Sequence, residues 1–343
     1  MAITTQTGAG RAGLTAAVGI AKEVTYGTAV TPGTYIKVTD ITGFEGKNKL
    51  VNSQGIRQSV DNPAPGVGSF EISPSFGFEV DPDNIGLILG LILGKDVLTG
   101  SSAPYTHTVQ LTPGSPRLST STLTTDLGFG GTTSYAAVGN KIAQLDLTCK
   151  SGSFLTAKVQ MNGKTVAGNA ASITSPSFSA ANPFEFAHLA GASSCLLNGV
   201  GINLNDFTLN LKQGLKPHMG SVGGRTASSI DETTFTCEGS FTLNTTDQSI
   251  DSILWGAATA PASGYIAPVP FVINFTHSQI AGGSTPYSLQ LALGAIVLTE
   301  APKTVKRGDT ITTAVKFIAN ETVANALDSF KAVIVNAASV AYL

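Results

Sequence analysis

The chain has 343 residues, of which only 12% are charged, and a formal net charge of −2. That length accommodates two ordinary domains, each able to bury a core without metal or disulfide support. The low, balanced charge excludes a basic nucleic-acid surface and an acidic disordered tail. Plentiful Gly, Ser, Thr, Val and Ile beside scarce Lys and Glu favours short strands and frequent turns, hence a mainly β chain.

In chain order, residues 1–35 carry Gly, Ala and Thr without a sustained period and are expected to form an extended arm that orders against neighbours. Tyr35–Phe44 reads as a strand, Lys47–Gly68 as a polar loop and Ser69–Val80 as a strand of alternating apolar residues. Asp81, Pro82, Asp83 and Asn84 then cap an apolar helix from Ile85 to Leu93, stopped by Gly94. Broken by Gly86 and Gly90, this run is well short of the roughly 18 residues of a membrane helix, so no membrane partner is expected. Strands follow at Tyr105–Leu111, Ser119–Phe129, Lys141–Lys150 and Phe154–Met161.

The same order recurs half a chain later. GVGSFEI (66–72) is echoed by CEGSFTL (237–243), each followed by a capped apolar segment, the second being Thr245–Gly256. Ala103 and Pro104 before THTVQL resemble Ala267 and Pro268 before FVINF, and IKVTDITGFEGKNK resembles INLNDFTLNLKQG. This duplication divides the chain into the arm (1–35), a first unit (36–169), an Ala- and Ser-rich linker (170–198) and a second unit (199–343).

Motifs for chemistry are weak. GAGRAG (Gly8–Gly13) matches GxGxxG, but no apolar strand precedes it and no parallel βαβ pattern follows. His107, His188, His218 and His277 have no metal-ligand spacing, and Cys149, Cys195 and Cys237 form no CxxC, so buried free thiols are expected. Asp81 and Asp83 are placed for capping, no serine sits in GxSxG, and Arg307-Gly308-Asp309 suits a hairpin turn. Asn244, Asn274 and Asn320 begin glycosylation sequons, which matter only in a secretory pathway, and the N-terminus lacks the pattern of a signal peptide. No catalytic residue, cofactor or metal ligand is nominated. Lys47, Lys49, Arg57, Lys212, Lys216 and Arg225 concentrate in two long loops and are the candidates for contact with another subunit.

The phrase GIAKEVTYGTA leading into TYIKVTDITGF and an Arg-containing loop resembles the opening of siphophage tail tube proteins. GVGSFEISPSFGF, the capped GLILGLILG helix and the terminal TITTAVKFIANETV fit the same family, so the resemblance spans nearly the whole chain. It implies two tandem tail-tube β-sandwich or half-barrel domains, each with one flanking α-helix, whose inner sheets join neighbours into a ring-shaped barrel. Members with two such domains form trimeric, pseudo-hexameric rings; the alternative is a ring of six chains. It further implies a non-enzymatic virion tail component, made in the host cytoplasm. Its partners would be copies of itself, the tape measure protein, the tail terminator and tip proteins, and double-stranded DNA passing without specific binding. The alternative readings are another β-rich adhesin or decoration protein, or a hydrolase on a β-sandwich.

Overall fold

The structure, a computed structural model, describes residues 16–343 apart from 56–60, 62–63, 115–116, 128–133, 169, 171–172, 174, 192, 220–223, 265 and 322–328. The first half contains β1 (Ala17–Lys22), β2 (Thr34–Ile36), β3 (Val38–Thr42), β4 (Lys47–Val51), β5 (Gly66–Glu71), β6 (Ser75–Glu79), helix α1 (Ile85–Leu93), β7 (Gly94–Thr99), β8 (Tyr105–Leu111), β9 (Ser121–Asp126), β10 (Ser134–Lys150), β11 (Thr156–Asn162) and β12 (Thr165–Gly168). The second contains β13 (Cys195–Leu197), β14 (Val200–Gly201), β15 (Leu204–Met219), β16 (Ala227–Asn244), helix α2 (Ser249–Trp255), β17 (Val269–Gly282), β18 (Thr285–Glu300), β19 (Lys303–Thr304), β20 (Thr312–Asn320) and β21 (Lys331–Asn336).

Antiparallel pairing carries one sheet through β3–β6–β11–β10–β15–β16–β20–β18. Alternation builds it: Phe76, Phe78, Leu145, Leu147, Val159, Phe207, Leu209, Phe241, Val315 and Phe317 are buried on one face, and the residues between them turn away. Behind it lies a second layer. One part is β2–β1–β9–β10–β12, using the N-terminal half of β10, and the other is β14–β13–β17–β18–β21–β8–β7. These pairings branch without returning on themselves, so among the described residues no barrel closes within one chain.

Strand order and register repeat along the long sheet. A bulge interrupts β3 between Val38 and Asp40 against β6, and another interrupts β15 between Leu204 and Asp206 against β16. SFGFE of β6 leads through DPDN into α1 as SFTLN of β16 leads through TTDQ into α2, which matches Phe76 with Phe241 and Ile85 with Ile250. Two of the sequence alignments shift. GVGSFE is β5, paired with β4 outside this sheet, so the counterpart of SFTL is SFGF. β17 stands against β18 as β9 stands against β10, whereas THTVQL is β8, paired with β7 and β21.

Helix α1 forms as its sequence predicts. Asp81 Oδ1 accepts the backbone N–H groups of Asp83 and Asn84 at 3.0 Å, and Gly94 ends the helix at φ 91°, where a side chain would be strained. Apolar on every side, all nine residues are buried against β8 and β10. Helix α2 is amphipathic and buries only Ile250 and Asp251.

The expected arm is structured from Ala17 onward, its first residues lying outside the described set. Val18 and Ile20 of β1 are fully buried, and Glu23 accepts hydrogen bonds from Gly27, Thr120, Thr122 and Gly139. A carboxylate buried with four donors anchors the chain, so this segment orders within its own subunit. The connector is anchored too. Phe184 is fully buried, bonds backbone to backbone with Val80 and Leu155, and packs 5.8 Å from Phe275. Among the described residues no helix is long and apolar enough to cross a membrane.

Candidate assembly surfaces

The outward face of the long sheet is polar across its central strands, and Ile318 of β20 is an exposed apolar residue toward one end. Gln144, Asp146 and Thr148 of β10 stand opposite Gln160, Lys158 and Thr156 of β11 on one side. On the other they stand opposite Lys212, Asn210 and Thr208 of β15, which in turn face Thr236, Glu238 and Ser240 of β16. The junction between the two four-strand groups, β10 against β15, therefore leaves no seam in this surface.

Charges on the face are largely matched. Lys212 meets Glu238 at 2.5 Å, Lys316 meets Glu300 at 2.9 Å and Lys158 lies 3.9 Å from Asp40. Asp146 accepts from Gln144 at 2.9 Å and from Asn210. Exposed pairs like these add little stability, but they turn lysines toward carboxylates and away from other anions. Counting Lys150 and Asp206, directly opposed at the junction, and Glu79, the named lysines are four and the carboxylates Asp40, Glu79, Asp146, Asp206, Glu238 and Glu300 are six. The surface is hydrophilic and slightly acidic.

The basic residues singled out from sequence are divided by the fold. Lys47 and Lys49 lie on β4, an exposed strand hydrogen-bonded to β5, where a polar loop is expected; Lys49 pairs with Glu71 at 2.5 Å. Arg225 joins them: its guanidinium donates to Asn48 Oδ1 at 2.6 Å and to the Gly68 carbonyl at 3.0 Å, and its own carbonyl accepts from Phe70 N–H. Lys212 and Lys216 are in strand β15, not in a loop, because Leu204–Met219 and Ala227–Asn244 continue as one long hairpin. Lys212 belongs to the polar face, and Lys216 is exposed farther along β15, opposite Asp231. Arg57 lies outside the described residues.

Sequence reasoning did not find Asp146 and Glu238 as members of a shared face. Their alternation with buried residues in β10 and β16 is the signal that could have found them. Within the subunit, Lys141 and Glu232 form a buried ion pair at 2.5 Å, and Lys141 also donates to the Ile230 carbonyl at 2.7 Å. Burial opposes the charge on Glu232, but the Lys141 contact prevails and holds its carboxyl below the usual range. Cys149, Cys195 and Cys237 are free and buried; burial raises the Cys149 thiol to about 12 and the Cys195 thiol to about 11, which makes them inert. Arg307–Asp309 lies in the turn between β19 and β20, with Gly308 at φ 82°. Among the described residues no cluster of His, Cys, Asp and Glu could hold a metal ion.

A family model described as phage tail tube protein matches residues 13–319. No curated protein matches the chain.

Proposed function

Because this chain belongs to the phage tail tube protein family, a β-rich component of the virion tail, we propose that it is the major tail tube subunit, a non-catalytic building block. Its two halves act as tandem tube domains whose long sheets join around a hollow conduit for the genome. The observation that carries this reading is the uninterrupted polar face across β10 and β15, on which lysines are matched by carboxylates. A conduit for DNA must not hold phosphates, and free lysines would do so by releasing counterions.

The strand count sets the diameter that each number of chains would give. Each chain contributes eight strands to the long sheet. Three chains, at ~4.8 Å between strands and a tilt of ~40°, close a barrel about 48 Å across, whereas six chains give about 95 Å. The smaller ring admits a duplex with side chains lining the wall, and we favour the trimer, pseudo-hexameric in its repeated strand order. The β4–β5 hairpin, bound to Arg225, and the distal part of the β15–β16 hairpin carry the exposed Lys47, Lys49 and Lys216, which would meet the next ring. Tape measure protein inside the lumen and terminator and tip proteins at its ends complete the proposed partners.

Electron microscopy of concentrated protein or of tails tests the reading. Stacked hollow rings of three chains are expected. Six chains per ring overturn the trimer, and compact particles without a lumen, with tail initiators present, overturn the tube.

A further inference from the structure

We infer, resting on the ring reading above, which edges of two copies pair and in which register, because the chain contains its own template for that joint. Inside one chain the first four-strand group meets the second where β10 runs antiparallel to β15. There Thr148 faces Thr208, Cys149 faces Phe207 and Lys150 faces Asp206.

The same strand positions recur at the two ends of the long sheet. Glu300 of β18 and Lys303 and Thr304 of β19 stand opposite Lys316, Thr313 and Thr312 of β20. Gln144, Leu147 and Thr148 stand likewise opposite Gln160, Ala157 and Thr156 of β11. Thr304-Val305-Lys306 therefore occupies the place of Thr148-Cys149-Lys150. At the other end β3 occupies the place of β15, as the bulges at Val38/Asp40 and Leu204/Asp206 show, so Asp40-Ile41-Thr42 matches Asp206-Phe207-Thr208. Transferring the internal register puts Thr304 opposite Thr42, Val305 opposite Ile41 and Lys306 opposite Asp40 of the second copy.

Three observations meet at this joint. The outer residues recur as types, a threonine pair and a lysine facing an aspartate. Val305 is 71% exposed, whereas its counterpart Cys149 is fully buried beneath the internal junction. Finally, β3 pairs only with β6 and β19 only with β20 among the described residues, which leaves two open edges of the kind that recruit another strand. A second copy satisfies all three, and because each chain carries both edges the heterologous contact repeats from copy to copy, which makes a ring when the rotation closes.

The test is zero-length carbodiimide coupling of assembled wild-type protein mixed from light and heavy-isotope chains, read by mass spectrometry. Coupling of Lys158 to Asp40 within a chain, 3.9 Å apart, is the internal control. Lys306 should couple to Asp40 between chains in rings and not in dilute subunits. Val305→Asp should abolish ring formation while leaving the subunit's melting temperature unchanged. Hollow rings in which only the control couples, or rings formed by V305D as by wild type, overturn this register and leave the tube reading standing. Absence of hollow rings from the wild-type protein overturns the tube reading and this joint with it.

Discussion

His107 and Asp96 are 3.0 Å apart with both side chains fully buried, an arrangement that favours the protonated imidazole. Its Nδ1 points at Asp96 Oδ2 and its Nε2 at the Ala338 carbonyl, also 3.0 Å away. An ionised carboxylate and a carbonyl only accept, so these two contacts are best met by the imidazolium, in which both ring nitrogens donate. The same Asp96 oxygen accepts the Tyr342 N–H at 2.8 Å, which pins the C-terminal segment.

Burial alone would lower the basicity of His107, but the Asp96 contact prevails and raises it above the ordinary imidazole value. A raised value means that this stabilisation is fully present below about pH 6.5, the unfolded histidine's pKa, and is lost as pH rises through the folded pKa. Urea midpoints should fall across that alkaline-going window, and amides near Tyr342 should exchange faster. His107→Gln should flatten the profile; parallel profiles for wild type and variant would show that the ring is neutral throughout.

Lys141→Met should destabilise the subunit by about 3–5 kcal/mol, because the buried Glu232 carboxylate would lose the lysine that neutralises it. The double variant Lys141→Met with Glu232→Leu should recover most of that loss. A denaturant series on the two proteins decides it: equal losses would mean that packing, not an orphaned charge, sets the cost. Glu232 titrates below its usual range, so the pair's contribution is present above the unfolded glutamate pKa and is lost as pH falls through the folded one.

Gly86→Ala should cost about 1–3 kcal/mol by overpacking. A Cβ at this position would lie 2.1 Å from the ring of Tyr342, which is half-buried and held by its hydrogen bond with Asn336. Thermal melts would register the loss, and Tyr342→Ala in the same chain should relieve part of it.

Asp146→Lys combined with Glu238→Lys should leave rings able to form while making the polar face basic. Such tubes are expected to retain duplex DNA at low salt and release it steeply as salt rises. Binding measured on assembled tubes at two salt concentrations checks this, and tubes as indifferent to DNA as the wild type would place these residues elsewhere than the lumen.

Arg225→Ala removes the two guanidinium contacts to Asn48 and Gly68. Hydrogen exchange in β4 and β5 should accelerate, and the cost to global stability should stay below about 1 kcal/mol because both partners are exposed. Unchanged exchange there would mean that the hairpin does not depend on Arg225.

Local patterns carried far in this chain. Alternation in YTHTVQL, and the cap, apolar run and glycine stop around Ile85–Leu93, correspond to β8 and α1 residue for residue, and the strand expected at Phe154–Met161 is β11 over Thr156–Asn162. Each depends on neighbours within one turn or one strand. The N-terminal segment differs from the expected arm for the opposite reason. Val18, Ile20 and Glu23 show no period of their own, and their burial depends on partners about a hundred residues away in β9. Lys212 and Lys216 read as loop residues because polar residues surround them; pairing with β16 makes them strand.

The sequence by itself determined a mainly β chain, its buried helix, a repeated order of elements and a resemblance to tail tube proteins, because composition, capping and period are local properties that survive in a string of letters. Which letters of the repeat correspond was decided only by the tertiary structure. β5 and β6 both read as alternating strands with SF in them, and only β6 pairs with β11 and enters the long sheet. The joint between the halves, the shared polar face and the two open edges likewise exist only through hydrogen bonds between distant strands. Register is a relation between two segments, and a one-residue slip that turns every side chain to the opposite face leaves each segment's own sequence unchanged.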